Sequence, residues 1–183
     1  MDETNGGIRF IPIARAKDER DVGFEDELIG LLPRLRRFAC SLAFAAADAD
    51  DLCQAAVERA LKSRDQWQPG TRLDSWMYRI MRNAWIDTAR ATKRRGETFV
   101  AAEAGESVGD AGDRAIEARV ELGKVGRAMA MLPLEQREAV ALVLVEGLAY
   151  KEAAAVLEIP MGTLTSRLVR GREALMRTLG EAA

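Results

Sequence analysis

The sequence has no histidine and only two cysteines, Cys40 and Cys53, among its 183 residues. Zinc sites take most of their ligands from cysteine and histidine, so a zinc site is not expected. Acid–base or triad chemistry built on histidine is excluded. Two cysteines are too few for a disulfide framework, and each falls on a helical pattern where a small buried residue is expected. We therefore predict no catalytic residue, no metal and no cofactor, and leave a redox role of the two thiols open.

Aromatic residues are also scarce, at 5% of the chain, whereas hydrophobic residues make up 48%. Alanine and leucine favour helices, while sheets draw on aromatic and β-branched residues. The composition therefore predicts an all-α fold with enough apolar surface for a core. No run of about 18 apolar residues occurs and no signal-peptide pattern opens the sequence, so we expect no membrane insertion and a cytoplasmic location.

Charge is spread unevenly along the chain, although the formal net charge is only −2. Residues 31–95 carry 13 basic and 7 acidic side chains, whereas residues 21–30 carry four acidic and no basic ones. Residues 96–130 are acidic again, with 7 acidic and 4 basic side chains. Such asymmetry is more informative than the total, and the excess positive charge of 31–95 favours contact with nucleic acid.

Helical periodicity occurs in two blocks, which predicts two small helical domains over 24–95 and 114–183. Residues 1–23 lack periodicity and are predicted to form a flexible N-terminal arm. The glycine-rich acidic residues 96–113 are predicted to be a flexible linker. In the first block a helix begins at Phe24, with Pro33 as a start or kink. The next helix runs over about 50–64, capped by Asp48 or Asp50, and a long one over about 73–94.

The second block ends in a helix-turn-helix pattern. We predict helices over Leu134–Glu146 and Tyr150–Leu157, a tight turn at Ile159–Gly162, and a last helix over Thr163–Leu179 with Thr163 as its N-cap. In that last helix, Gly171 and four leucines share the inward face. Ser166, Arg170, Glu173 and Arg177 lie opposite, flanked by Thr165 and Arg167. This outward face suits a DNA groove; the alternative is a solvated face on an ordinary helical hairpin.

The helix over 73–94 combines aromatic and basic residues. Phase places Tyr78, Arg82 and Trp85 opposite the predicted core face, and residues 79–95 include six basic side chains. Exposed rings interleaved with arginine are typical of surfaces that bind single-stranded nucleic acid. The alternative is that Trp85 packs under a neighbouring helix or the N-terminal arm. The polar face of helix 48–64 is amphipathic, and by pattern alone a solvated face explains it.

Three stretches of the chain resemble motifs of bacterial sigma factors. Residues 48–61 (DADDLCQAAVERAL) resemble region 2.1–2.2, and residues 73–87 (LDSWMYRIMRNAWID) resemble region 2.3–2.4. The segments LPLEQREAV from Leu132, EGLAYKEAA from Glu146 and PMGTLTSRLVRGREAL from Pro160 resemble region 4. The resemblance covers about 24–179, and the short linker is similar to the extracytoplasmic-function (ECF) group. Thr165 departs from the family, which often has a basic residue there.

The resemblance implies a promoter-specificity subunit, not an enzyme, that acts in transcription initiation, transcription regulation and stress response. Its partners are core RNA polymerase, promoter DNA and an anti-sigma factor. The helix 48–64 is expected to dock on the coiled coil of the polymerase largest subunit. The polymerase-binding residues are Asp48, Asp51, Gln54 and Glu58.

The resemblance also implies two DNA sites. The loop 67–72 and helix 73–94 are expected to engage the non-template strand of the −10 element and assist melting, and Asn83 matches a position implicated in reading a flipped base. The −10 residues are Tyr78, Arg82, Asn83, Trp85 and Arg90. The −35 residues, on the recognition helix, are Thr163, Thr165, Ser166, Arg167 and Arg170.

Two other functions remain open from the sequence. A stand-alone helix-turn-helix regulator would use only the C-terminal domain, with the first domain as a sensor, but it leaves the basic aromatic face of 73–94 unexplained. A decoy that mimics a sigma factor to sequester its inhibitor is the second. Such decoys usually carry a receiver domain, for which these residues have no room.

Overall fold

The computed structural model describes residues 19–43, 45–94 and 123–180, and all regular structure within these ranges is helical. The first half contains α1 (Glu19–Leu42), α2 (Ala46–Lys62), a 3-10 turn (Arg64–Gln66) and α3 (Leu73–Arg94). The second half contains α4 (residues 123–131), α5 (Leu134–Val140), a π-helical turn (Ala141–Val145), α6 (Tyr150–Leu157) and α7 (Met161–Gly180). The all-α prediction is confirmed. The predicted linker 96–113 and residues 1–18 of the predicted arm lie outside the described residues.

Two predictions about the first half were wrong. The helix α1 begins at Glu19, not at Phe24, and runs through Pro33. Buried Leu28 and Leu35 on either side of Pro33 pack into the core, and this packing holds the helix together across the proline. The helix α2 begins at Ala46 behind an N-cap, Ala45, that makes no side-chain cap bond, so neither predicted aspartate caps it.

The second half follows the predicted pattern, except that its last helix begins earlier than predicted. The helix α6 has the predicted bounds, and Gly147 adopts the left-handed conformation (φ 72°) that ends the preceding helix. The helix α7 begins at Met161, so Thr163 lies in its first turn and the predicted N-cap is wrong. The amides of Thr163 and Leu164 instead donate to the carbonyl of Pro160.

A single buried cluster extends through both halves. In the first half, α1 packs on α2 and α3; in the second, α7 packs on α5 and α6. The halves meet where α3 contacts α6 and α1 contacts α5. Within the described ranges no helix is long and apolar enough to cross a bilayer.

Gly171 allows α7 to approach α5 closely, as its inward phase predicted. A Cβ placed on Gly171 would lie 2.8 Å from Cγ2 of Val140 and 3.4 Å from the backbone oxygen of Gln136. Glycine in a helix interior costs roughly 1 kcal/mol relative to alanine. A larger side chain would have to displace the side chain of Val140 on α5, so the close packing of the two helices favours glycine here.

Arg137 is a buried cation that joins the ends of two helices. Its guanidinium donates to the carbonyl of Leu42 at the end of α1 (3.2 Å) and to the carbonyls of Met129, Ala130 and Leu132 at the end of α4 (3.0, 3.0 and 2.8 Å). The last carbonyls of a helix have no intrahelical donor, and Arg137 supplies hydrogen bonds to these groups. The carbonyl of Met129 also accepts from the amide of Leu132 at 3.1 Å. Burial lowers the pKa of Arg137 to about 10.

Candidate DNA and polymerase interfaces

The predicted polymerase-binding residues share one exposed side of α2. Asp48, Asp51, Gln54 and Glu58 are all exposed and follow one another at spacings of three and four. Gln54 donates to Glu58 at 3.1 Å, and Lys62 lies 4.0 Å from the same carboxylate. These are weak surface contacts, which leaves the face available to a partner.

Asp50 faces a different neighbour from the other acids of α2. Its carboxylate pairs with Arg36 of α1 at 2.7 Å. Hydrogen bonding from Arg36 lowers the pKa of Asp50 below its usual value. Asp50 therefore stabilises the contact between α1 and α2 and is not part of the polar face of α2.

The predicted exposure of Tyr78 was wrong, and for Trp85 the structure agrees with the alternative, a ring packed inside the fold. Tyr78 is fully buried and Trp85 is only 5% exposed. The Tyr78 ring lies 4.9 Å from that of Phe38 in an edge-on arrangement, and its hydroxyl donates to Glu146 at 2.7 Å. Burial and the neighbouring carboxylate raise the pKa of Tyr78 well above its usual value, which keeps the phenol protonated as a donor. Periodicity placed both rings opposite one core face, but α3 is covered on more than one side.

The remaining predicted −10 residues divide into paired and exposed side chains. Arg82 is half-buried and donates to Glu138 of α5 at 3.0 Å. Asn83 and Arg90 are exposed on α3. Three of the five predicted residues are therefore held within the fold, and two face solvent.

An open cleft of about 470 Å³ lies beside the first turn of α3. Its lining includes Trp67, Arg72, Trp76 and Arg79 of the first half, with Glu152 of α6 on the other side. The indole Nε1 of Trp67 is buried and has no hydrogen-bond partner among the described residues. The loop 67–72 was predicted as a DNA contact only through the resemblance. Two tryptophans flanking Pro69-Gly70 were the available signal for an aromatic cleft.

Asp74 forms an ion pair with Arg72, which lines that cleft. Burial disfavours its charged form, but hydrogen bonds from Arg72 (2.6 Å) and the charge of that guanidinium outweigh the effect and hold the pKa of Asp74 below its usual value. Arg34 of α1 adds a second contact at 3.1 Å. Asp74 thus fixes the position of Arg72 where the loop joins α3.

The outward face of α7 carries most of the predicted −35 residues. Thr165, Ser166 and Arg170 are exposed, while Thr163 and Arg167 are half-buried. The hydroxyl of Thr165 donates to the carbonyl of Met161 at 2.9 Å. Arg167 lies 3.5 Å from Glu135 of α5, so it contacts the neighbouring helix. The face therefore presents hydroxyls near the helix start and an arginine one turn further on.

Two protein-family models match this chain, one in each half. The family model for Sigma-70 region 2 matches residues 30–95, and the model for Sigma-70 region 4 matches residues 122–175. The ECF RNA polymerase sigma factor EcfG of Rhodopseudomonas palustris (strain TIE-1) is 36% identical over 154 residues, which cover 84% of this chain and 83% of EcfG. This chain belongs to the ECF sigma factors. The RNA polymerase sigma factor CarQ of Myxococcus xanthus is 32% identical over 91% of this chain and 95% of CarQ.

Solved structures of other sigma factors share the fold of this ECF sigma factor. The sigma factor RpoE from Bartonella quintana, solved in complex with the anti-sigma factor NepR, superposes with a TM-score of 0.75 at 30% identity. That match covers 86% of this chain and 97% of RpoE. In this ECF sigma factor the polar face of α2 and the tryptophans of the cleft fall within region 2. The α6 side of the cleft and most of α7 fall within region 4.

Proposed function

We propose that this sigma factor binds core RNA polymerase in the bacterial cytoplasm, recognises −10 and −35 promoter elements and assists promoter melting without catalysing a reaction itself. The observation that carries the proposal is the presence, in one chain with regions 2 and 4, of two outward faces of different chemistry. The acidic and amide face of α2 suits a protein partner, while the hydroxyl and arginine face of α7 suits DNA. We assign residues 24–95 and 114–183 to the two functional domains.

We infer that the face of α2 docks on the polymerase. Reversing Asp51 and Glu58 to lysine should weaken binding to core polymerase by at least about tenfold, which corresponds to about 1.4 kcal/mol. The exposed positions make only weak surface contacts, so helical circular dichroism should stay unchanged. Affinity for purified core polymerase is the measurement.

A matched control for the docking test lies on α1. Asp26 and Glu27 are exposed acids outside the α2 face, and reversing both makes the same change in net charge. We expect that control to retain wild-type affinity. Equal weakening by both pairs would mean that net charge, not the α2 face, governs binding, and the docking proposal would fail.

We assign the −10 contact to the aromatic cleft and the exposed part of α3. Trp67 and Trp76 offer apolar walls for an unpaired base. Asn83 and Arg90 extend the surface toward the DNA backbone. Trp85 has no free face for stacking, so we attribute a core role to it. Extrusion of a base costs a few kcal/mol, and stacking in such a pocket offsets that cost.

We assign base reading in the −35 element to Arg170. A bidentate arginine–guanine pair gives about 1–3 kcal/mol of discrimination, so Arg170→Ala should relax the preference at one −35 position. Arg167→Ala should weaken all promoters about equally and reduce the salt dependence, since a phosphate contact carries no base preference. Arg172, which is exposed on α7 but is not one of the residues of that outward face, provides the control. Transcription from a randomised −35 library distinguishes the variants; an unchanged preferred sequence in Arg170→Ala would transfer the role to Thr165 or Ser166.

Run-off transcription with purified core polymerase on a promoter library tests the function as a whole. Transcripts that start at defined sites only when this chain is present support it. Tight binding of the free chain to duplex DNA without polymerase would favour a stand-alone regulator, and absence of transcription with retained inhibitor binding would favour a decoy. We also propose an anti-sigma factor as a partner, because the Bartonella quintana RpoE was solved with one.

A further inference from the structure

Exposed apolar side chains of the first half gather on one side of the hairpin that α1 and α2 form. Among the described residues of that half, the large apolar side chains that stay exposed are Ile29 (63%), Leu32 (38%) and Leu61 (44%). Val57 of α2 is only half-buried. Exposed apolar residues are ordinary when they are scattered, but a contiguous group of them marks an interaction surface. We call Ile29, Leu32, Val57 and Leu61 the hairpin patch.

The ion pair between Arg36 and Asp50 shows that the patch residues of both helices face the same way. Nε of Arg36 lies 2.7 Å from the carboxylate of Asp50, so these two residues mark one side of the hairpin. At about 100° per residue, the patch residues of α1 lie within about 40° of Arg36, and those of α2 lie within about 20° of Asp50. The two helices are antiparallel neighbours. Steps back along α1 and forward along α2 therefore lead in the same direction, away from the connection.

Residues 8–17 (IRFIPIARAK) have the chemistry that such a surface binds. Four of the six residues in 8–13 are large and apolar, namely Ile8, Phe10, Ile11 and Ile13. The stretch 8–17 carries three basic and no acidic side chains, whereas residues 21–30 of α1 carry four acidic and no basic ones. Apolar burial supplies affinity, and opposite charges set the orientation of two surfaces. The stretch is therefore complementary to the hairpin in both respects.

The position of this stretch in the chain allows it to reach the patch. The helix α1 begins at Glu19, and Leu32 lies about 20 Å further along its axis at 1.5 Å per residue. Phe10 precedes Glu19 by nine residues, which an extended chain can span over about 30 Å. A chain that reverses direction at the start of α1 therefore brings Phe10 alongside the patch with length to spare.

From this match we propose that residues 8–17 fold back along the hairpin of the same chain and pack their apolar side chains on the hairpin patch. Pro12 favours an extended backbone over a helix, and an extended segment fits along the groove between two packed helices. Arg15 and Lys17 then lie near the acidic start of α1. Attachment to the same chain gives an effective concentration in the millimolar range, so a small apolar contact is enough to hold the segment. The contact requires neither polymerase nor DNA.

Photo-crosslinking in the full chain tests the contact. Benzoylphenylalanine in place of Phe10 keeps an apolar aromatic side chain there, and under ultraviolet light its ketone inserts into a neighbouring C–H bond. Mass spectrometry should find residues 8–17 joined to the peptides that carry the hairpin patch, in a product with the mass of one chain. A patch crosslink found only in a product with the mass of two chains would show that a second copy occupies the patch, and the proposal would fail.

A pair of substitutions in the patch shows whether the contact depends on its apolar surface. Ile29→Ser with Leu61→Ser should lower the yield of the crosslink at least about fivefold, because the apolar area that drives the contact is lost. The matched control is Val125→Ser with Met131→Ser, which removes two exposed apolar side chains of α4. We expect the control to keep the wild-type yield. Circular dichroism checks that both variants keep wild-type helicity.

A second pair tests the other partner and leaves every residue of α1 and α2 unchanged. Ile11→Asp with Ile13→Asp places charges in the segment and should lower the yield by a similar factor. This pair decides the matter if the patch variant loses helicity. An unchanged yield in a correctly folded patch variant or in the segment variant would overturn the proposal. Crosslinks spread evenly over other surfaces of the chain would do the same.

Discussion

Trp85→Ala is expected to lower the free energy of unfolding by about 3–5 kcal/mol, the usual cost of truncating a buried tryptophan. Trp85 is 5% exposed and belongs to the buried cluster that also contains Met81 and Ala84 of α3. Removing the indole takes away apolar contacts and leaves a cavity that the surrounding helices fill only in part. Denaturant unfolding followed by circular dichroism measures the loss.

Trp76 provides the matched control because it lies on the same helix in a different environment. It is half-buried, lines the cleft and meets Phe24 edge-on at 6.2 Å. Trp76→Ala should cost less stability, but it should slow open-complex formation more on duplex promoters than on pre-melted templates, since stacking is worth roughly 1–3 kcal/mol per base. Trp85→Ala should affect both templates equally. A stable Trp85→Ala variant with a defect on duplex promoters alone would restore Trp85 as a DNA contact.

Arg137→Leu is expected to cost at least about 3 kcal/mol of stability. The carbonyl oxygens of Leu42, Ala130 and Leu132 lose the guanidinium donor, while that of Met129 keeps the amide of Leu132. A buried polar group left without a partner costs about 1–3 kcal/mol. Leucine fills only part of the space and supplies no hydrogen bond. Because one of these bonds reaches Leu42, the variant should also weaken the contact between α1 and the second half. Thermal unfolding and the radius of gyration report the two effects.

Arg172→Leu is the control for Arg137, since Arg172 is exposed on α7. That replacement should change stability by no more than about 0.5 kcal/mol. Arg137→Lys should fall between the two, because one ammonium cannot reach all four carbonyls. If Arg137→Leu were as stable as Arg172→Leu, the carbonyls would have found other donors, and the assigned role of Arg137 would be wrong.

Local features of the fold were predictable because they depend on short stretches of sequence. Turn chemistry and helical period alone predict the bounds of α6 and the inward position of Gly171. They also predict that the helical segment before α6 ends at Gly147. The exposed side of α2 was predictable in the same way. The start of α7 could not be predicted in this way. Thr163 is a favourable N-cap in isolation, but the carbonyl of Pro160 accepts the first amide hydrogen bonds of the helix.

The sequence by itself determined the helices, the helix-turn-helix, the polar face of α2 and the membership of the sigma factors, because each is written in residue types at fixed spacing. Only the tertiary structure decided which faces of α3 are covered. A helical period shows that one side is apolar, but it does not show how many neighbours surround the helix. Tyr78 and Arg82 became interior groups because Glu146 and Glu138, more than fifty residues away, supply their partners. Contacts between residues so far apart in the sequence cannot be recognised from the spacing of residue types along the chain.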